Sequence, residues 1–155
     1  MCAVVDTCVF FKVFDVHNAE HKNFAPVEKW INGRGGKLII GGTKYLEELG
    51  GHRVFRLFSE LKKKQRLVSL STKTVDDYAK TLKSKVSASA FDDEHIVAMA
   101  AISKCCVVCT DDEGAKKYLK QSDLYPANVK RPKIYSGSKG HKALCCSENI
   151  APICK

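Results

Sequence analysis

The sequence predicts an α/β fold: a three-layer sandwich with a mostly parallel central sheet of four to five strands flanked by helices. Two observations predict it. Short apolar, β-branched runs without polar alternation read as strands buried on both faces, and segments of helical periodicity separate them. Acidic residues recur where these runs begin or end: Asp6, Glu47/Glu48, Asp92/Asp93 and Asp111/Asp112. In a parallel sheet the ligand crevice lies outside the carboxyl ends of the strands, where Asp6 and Asp111/Asp112 fall.

The elements follow in order. Residues 2–6 read as a strand ending at Asp6. The stretch from Cys8 to Asn32 is mixed, with a helix over 25–31 that has Pro26 near its start and Asn32-Gly33-Arg34-Gly35-Gly36 as its stop. Lys37–Ile40 is a second strand, after which Thr43 opens a short helix, Lys44–Leu49, stopped by Gly50-Gly51. Residues 52–65 form an amphipathic helix with Val54, Phe55, Leu57, Phe58 and Leu61 inward and Lys62-Lys63-Lys64 at its end. Leu67–Leu70 is a third strand, and Thr74 starts a helix through Val86. A helix runs from Asp93 to Ile102, its alanines permitting close packing on a sheet, and Cys105–Thr110 is the fourth strand. Asp111-Asp112-Glu113 then open another helix, and Lys133–Tyr135 form a last short strand. Residues 1–136 read as one domain and 137–155 as a loosely packed tail.

At 155 residues, 45% hydrophobic and 28% charged, the chain suits a single globular domain, and no apolar run approaches the ~20 residues that span a bilayer. The N-terminus carries no export signal, so a cytoplasmic protein is expected. The eight cysteines lie mostly inside apolar segments and read as reduced and buried. Cys106-Val107-Val108-Cys109 matches C-x-x-C but has no second pair at zinc spacing; Cys145, Cys146 and His141 are the remaining ligand candidates, and core packing accounts for the run better. A formal net charge of +9 implies attraction to polyanions, with nucleic acid the foremost and an anionic membrane surface or simple solubility the alternatives.

Four motifs, taken in order, resemble the PIN-domain family of metal-dependent nucleases over Val4 to about Tyr135. Val4-Val5-Asp6-Thr7 resembles its first-strand aspartate followed by a hydroxyl residue. Tyr45-Leu46-Glu47-Glu48-Leu49 is similar to its glutamate on a short helix, with Glu48 the better match. Asp93-Glu94-His95-Ile96-Val97-Ala98-Met99-Ala100 resembles the aspartate that opens an Ile-x-Ala-x-Ala helix and is the most specific motif. Val108-Cys109-Thr110-Asp111-Asp112 resembles the strand ending in Thr-x-Asp, with Asp112 as counterpart and Asp111 as accessory. The family's further aspartate two positions later is Gly114 here.

The resemblance implies catalytic and metal-binding roles for Asp6, Glu48, Asp93 and Asp112, with Thr7, Thr110 and Asp111 as accessories. Hard oxygen donors suit Mg²⁺ or Mn²⁺, which activate water and neutralise charge on a phosphodiester. The resemblance further implies an endoribonuclease, with single-stranded RNA preferred over DNA, of the kind that serves as the toxin of a toxin-antitoxin pair. The family also implies a possible antitoxin or other inhibitory protein and a possible homodimer, and no membrane partner. Two other readings compete. A non-catalytic nucleic-acid- or partner-binding domain retains the fold, and a haloacid-dehalogenase-like phosphatase needs Asp-x-Asp after the first strand, where this chain has Asp6-Thr7-Cys8. Lys44 reads as a phosphate contact or a solvated lysine, His95 as structural rather than functional, and Trp30 as core rather than a stacking platform.

Overall fold

A computed structural model describes residues 1–33, 35–86 and 91–155; Arg34, within the expected glycine-rich helix stop, lies outside the described residues. Five strands form one sheet: β1 Cys2–Val5, β2 Lys37–Ile40, β3 Leu67–Ser69, β4 Val107–Cys109 and β5 Lys133–Tyr135. Their order is β3-β2-β1-β4-β5 and every pairing is parallel, so the expected α/β class holds with five strands. The central strands are apolar because helices cover both faces of the sheet.

The helices are α1 Phe10–Phe14, α2 His21–Gly33, α3 Thr43–Glu48, α4 His52–Lys63, α5 Thr72–Lys85, α6 Glu94–Ser103 and α7 Glu113–Leu119. Helix α6 is apolar almost all round, with nine of its ten residues buried, because it lies on β1 and β2 and is packed in turn by α5, α3 and α7. Helix α1 pairs with α2, which leans on β2. No helix of the described residues is long and apolar enough to cross a membrane.

Several elements differ from expectation. Helix α2 begins at His21, so Pro26 lies inside it and removes one rung of its hydrogen-bond ladder. Helix α5 begins at Thr72, capped by the Ser71 hydroxyl, which accepts from the Thr74 amide. In α4 the buried stripe is Val54, Phe58 and Leu61, while Phe55, expected inward, is 56% exposed because it stands about 100° round the helix from Val54.

In the C-terminal segment, residues 137–155, Asn149, Ala151 and Cys154 are buried and the rest is exposed or half-buried. The Met1 ammonium donates to the Cys146 carbonyl at 2.8 Å, and Asn149 bridges the Lys133 side chain and the Leu144 carbonyl. Cys2 and Cys154 form a disulfide, so the expectation that all cysteines are reduced fails for this pair, which the C-terminal segment brings face to face. Cys105 and Cys109 are free and buried, as core packing requires. His141 Nδ1 accepts from the Ser136 amide and serves the loop after β5.

Candidate active site

The chain grows outward from β1 in both directions: β2 and β3 to one side, β4 and β5 to the other. A crevice therefore opens between the carboxyl ends of β1 and β4, the switch point of the sheet. Val5 pairs with Cys109, so the next residues, Asp6 and Thr110, stand side by side at that edge. Asp6 is 2% exposed, and its Oδ2 accepts a 2.6 Å hydrogen bond from Thr110 Oγ1. The same Thr110 oxygen accepts from the Asp112 amide at 3.1 Å, which ties both aspartates to one hydroxyl.

Glu48, at the last turn of α3, reaches the same edge. Its Oε2 accepts from Thr7 Oγ1 at 2.8 Å and lies 3.5 Å from His95 Nε2. Glu47 makes no such contact among the described residues, so of the two glutamates Glu48 is the one brought to Thr7. The position of α3 is fixed by Tyr45, whose buried hydroxyl donates to the Val5 carbonyl at 2.8 Å. Burial, Asp6 and Glu48 keep that phenol protonated by raising its pKa.

Asp93 stands at the N-terminus of α6, but its carboxylate accepts no capping hydrogen bond. Half-burial and the charges of Asp6, Asp112 and Asp92 push its pKa up to about 6, with Lys44 working the other way. Asp112, by contrast, does cap its helix: Oδ1 accepts from the Ala115 amide at 2.7 Å. Asp111 points to the rim, where Lys12 Nζ lies 2.7 Å from its Oδ2 and also pairs with Glu20. Beside it, the Cys8 thiol is pushed up to about 12 by burial and by Asp6, so it stays protonated.

Two residues beside the crevice are held differently from their sequence reading. His95 is 3% exposed, and neither ring nitrogen has a hydrogen-bond partner among the described residues; burial lowers its pKa although Glu48 opposes that. The all-apolar surroundings of α6 were the available signal, since a helix buried all round must bury its histidine too. Lys44 is not a solvated lysine: its Nζ lies 2.6 Å from Asp92 Oδ1 and 3.4 Å from Glu94 Oε1. Burial pulls the ammonium down, but these carboxylates outweigh it and its pKa is raised. Lys83 approaches Glu94 Oε1 at 3.7 Å, which leaves Oε2 of this buried side chain without a partner among the described residues.

The carboxylates at the crevice offer oxygen donors, with the His95 ring and the Cys8 thiol beside them, and half-burial together with neighbouring negative charge raises the Asp93 carboxyl, which a hard cation would relieve. On that chemistry Asp6, Glu48, Asp93 and Asp112 fit Mg²⁺ or Mn²⁺. Among the described residues no three ligating side chains already stand at cage spacing. Comparison with protein-family models, with curated proteins and with solved structures found no match.

Proposed function

We propose that this chain is a Mg²⁺- or Mn²⁺-dependent nuclease that hydrolyses phosphodiester bonds, with RNA its preferred substrate. The observation that supports this most is geometric: Asp6 stands beside Thr110 at the strand-end crevice, the same hydroxyl holds the Asp112 amide, and Thr7 holds Glu48 at that edge. Half-burial and the neighbouring charges of Asp6 and Asp112 raise the Asp93 pKa to about 6, a cost that a bound cation would offset. The net charge of +9 supplies the attraction to a polyanion that the acidic crevice itself lacks.

Asp6, Glu48, Asp93 and Asp112 would hold the metal, which when bound supplies a polarised water and charge neutralisation at the phosphate. Thr110 orients Asp6 and spaces it from Asp112. Thr7 fixes the Glu48 carboxylate from the other side, and the buried His95 borders it. Lys44 and Lys12 pair with the outer acids, Asp92 and Asp111.

Cleavage of labelled single-stranded RNA and DNA by the wild type, with Mg²⁺, Mn²⁺ or chelator, tests this reading beside Asp6→Asn and Asp93→Asn. Metal-dependent cleavage lost in both variants supports it. Wild-type protein that binds RNA without cutting it, or variants that cut as well as the wild type, would sink it in favour of a binding module. An inhibitory partner protein and a homodimer belong to the same reading, testable by the mass of the purified particle.

A further inference from the structure

Between α2 and the segment after β5 lie two adjoining clefts of about 400 and 350 Å³ that share Lys22, Pro26 and Lys142 and so make one trough. Lys22 and Lys29 line it from α2, and Lys139 and Lys142 from the opposite wall. The α2 residues 22, 26 and 29 recur at helical spacing, so they share one face over about 10 Å. No carboxylate lines either cleft, and none of the four ammonium groups has an ion-pair or hydrogen-bond partner among the described residues. By contrast Lys12, Lys44, Lys73, Lys83 and Lys116 are all paired with acids.

The floor of the trough is fixed: Trp30 is half-buried, its indole N–H pinned to the Met1 carbonyl at 3.0 Å, and Tyr135 is fully buried, its hydroxyl donating to the Asn23 carbonyl at 2.9 Å. One end of the trough adjoins the acidic crevice: His21 Nδ1 contacts the Lys12 carbonyl, and Lys12 pairs with Asp111. The other end, at Trp30 and Cys145, reaches the opposite edge of the sheet beside Met1.

We infer that this trough is a binding site for the sugar-phosphate backbone of a single-stranded nucleic acid, carrying the strand away from the acidic crevice along α2. Gathering unpaired ammonium groups raises the local potential, and a polyanion lowers it with release of counterions. A cationic groove that tracks the backbone is the part of single-strand binding that carries no sequence preference. Continuity with the crevice favours a nucleic-acid strand over an acidic peptide. The inference rests on the nuclease reading for the direction of the strand.

The test compares full-length wild type, the trough variant Lys22→Gln/Lys29→Gln/Lys142→Gln and a control of equal charge change, Lys62→Gln/Lys63→Gln/Lys64→Gln. The probe is a labelled mixed-sequence single-stranded RNA of about 20 nucleotides, longer than one binding module covers, followed by fluorescence anisotropy in chelator over a salt series. The trough variant is expected to bind at least about tenfold more weakly, with a salt slope shallower by about 2, from ~0.7 for each of three contacts; the control is expected to move both by less than half as much. Equal effects in the two variants, or wild-type binding of poly-glutamate as tight as of RNA, overturn the trough. Cleavage by wild type with unchanged binding in the trough variant removes the trough and spares the nuclease. Lost binding in the trough variant with no wild-type cleavage removes the nuclease and spares the trough.

Discussion

Thr110 Oγ1 donates to Asp6 Oδ2 at 2.6 Å while accepting from the Asp112 amide at 3.1 Å, so one hydroxyl holds the ends of two neighbouring strands in register. Asp6 is buried, and a buried carboxylate deprived of its donor loses about 1–3 kcal/mol of stabilisation. Thr110→Val, which keeps the shape and deletes the donor, is expected to destabilise the fold by that amount and to slow RNA cleavage about 10–100-fold. Thr110→Ser should restore both. Denaturant melts and single-turnover cleavage read the two effects, and an unaltered Thr110→Val enzyme would count against the role of Thr110.

Asp93 gives a pH signature with a defined sign. Its folded pKa of about 6 is raised from 3.8, so between these values the folded state holds a proton that the unfolded state has released. The contribution is fully present below about 4 and is lost as pH rises through 6. In metal-free protein the wild type should therefore lose stability across that window relative to Asp93→Asn. Added Mg²⁺ should reverse the difference at neutral pH, because metal competes with the proton. Thermal melts at several pH values, with chelator and with Mg²⁺, show it; parallel profiles for wild type and Asp93→Asn would refute it.

Lys44 joins Asp92 and Glu94, and Glu94 is buried with one oxygen already unpartnered. Lys44→Gln is expected to cost about 1–2 kcal/mol, leaving Lys83 as the cation near Glu94 among the described residues. It should also raise the Asp93 pKa further, since Lys44 lowers it. Carboxyl resonances followed by NMR during a pH titration check the second effect, and an unmoved Asp93 would count against it.

The Cys2–Cys154 disulfide closes almost the whole chain into a loop. Reduction, or Cys154→Ser, is expected to lower stability by about 2–4 kcal/mol through release of the unfolded chain. Asp6 lies at the far end of β1, about 13 Å from Cys2, so metal-dependent cleavage by the folded reduced protein should be unchanged. Denaturant melts with and without reductant, paired with a free-thiol titration, decide the matter.

How much was legible follows from which interactions are local. The Asp6, Glu48, Asp93 and Asp112 positions were readable because each marks the junction of one strand or helix, which periodicity and turn chemistry reveal. The role of Asp93 as an uncapped end and of Asp112 as a cap was not readable, because both are acids at a helix start and only packing separates them. Phe55 and Phe58 look alike in a helix pattern; the packing of Phe58 edge-on against Phe10 of α1 decides which is covered. The Cys2–Cys154 bond and the Met1–Cys146 hydrogen bond depend on contacts between opposite ends of the sequence, for which a sequence pattern carries no signal.

Because β1 sits between β2 and β4, Asp6 meets Thr110 only when 104 further residues have been made. At about 5–20 residues per second that is about 5–20 s of translation. Throughout it the nascent chain carries Asp6, then Glu48, then Asp93, with no fourth strand to gather them. The acidic edge is thus one of the later features of the fold that synthesis can complete, since it waits for the strand that brings Thr110 beside Asp6.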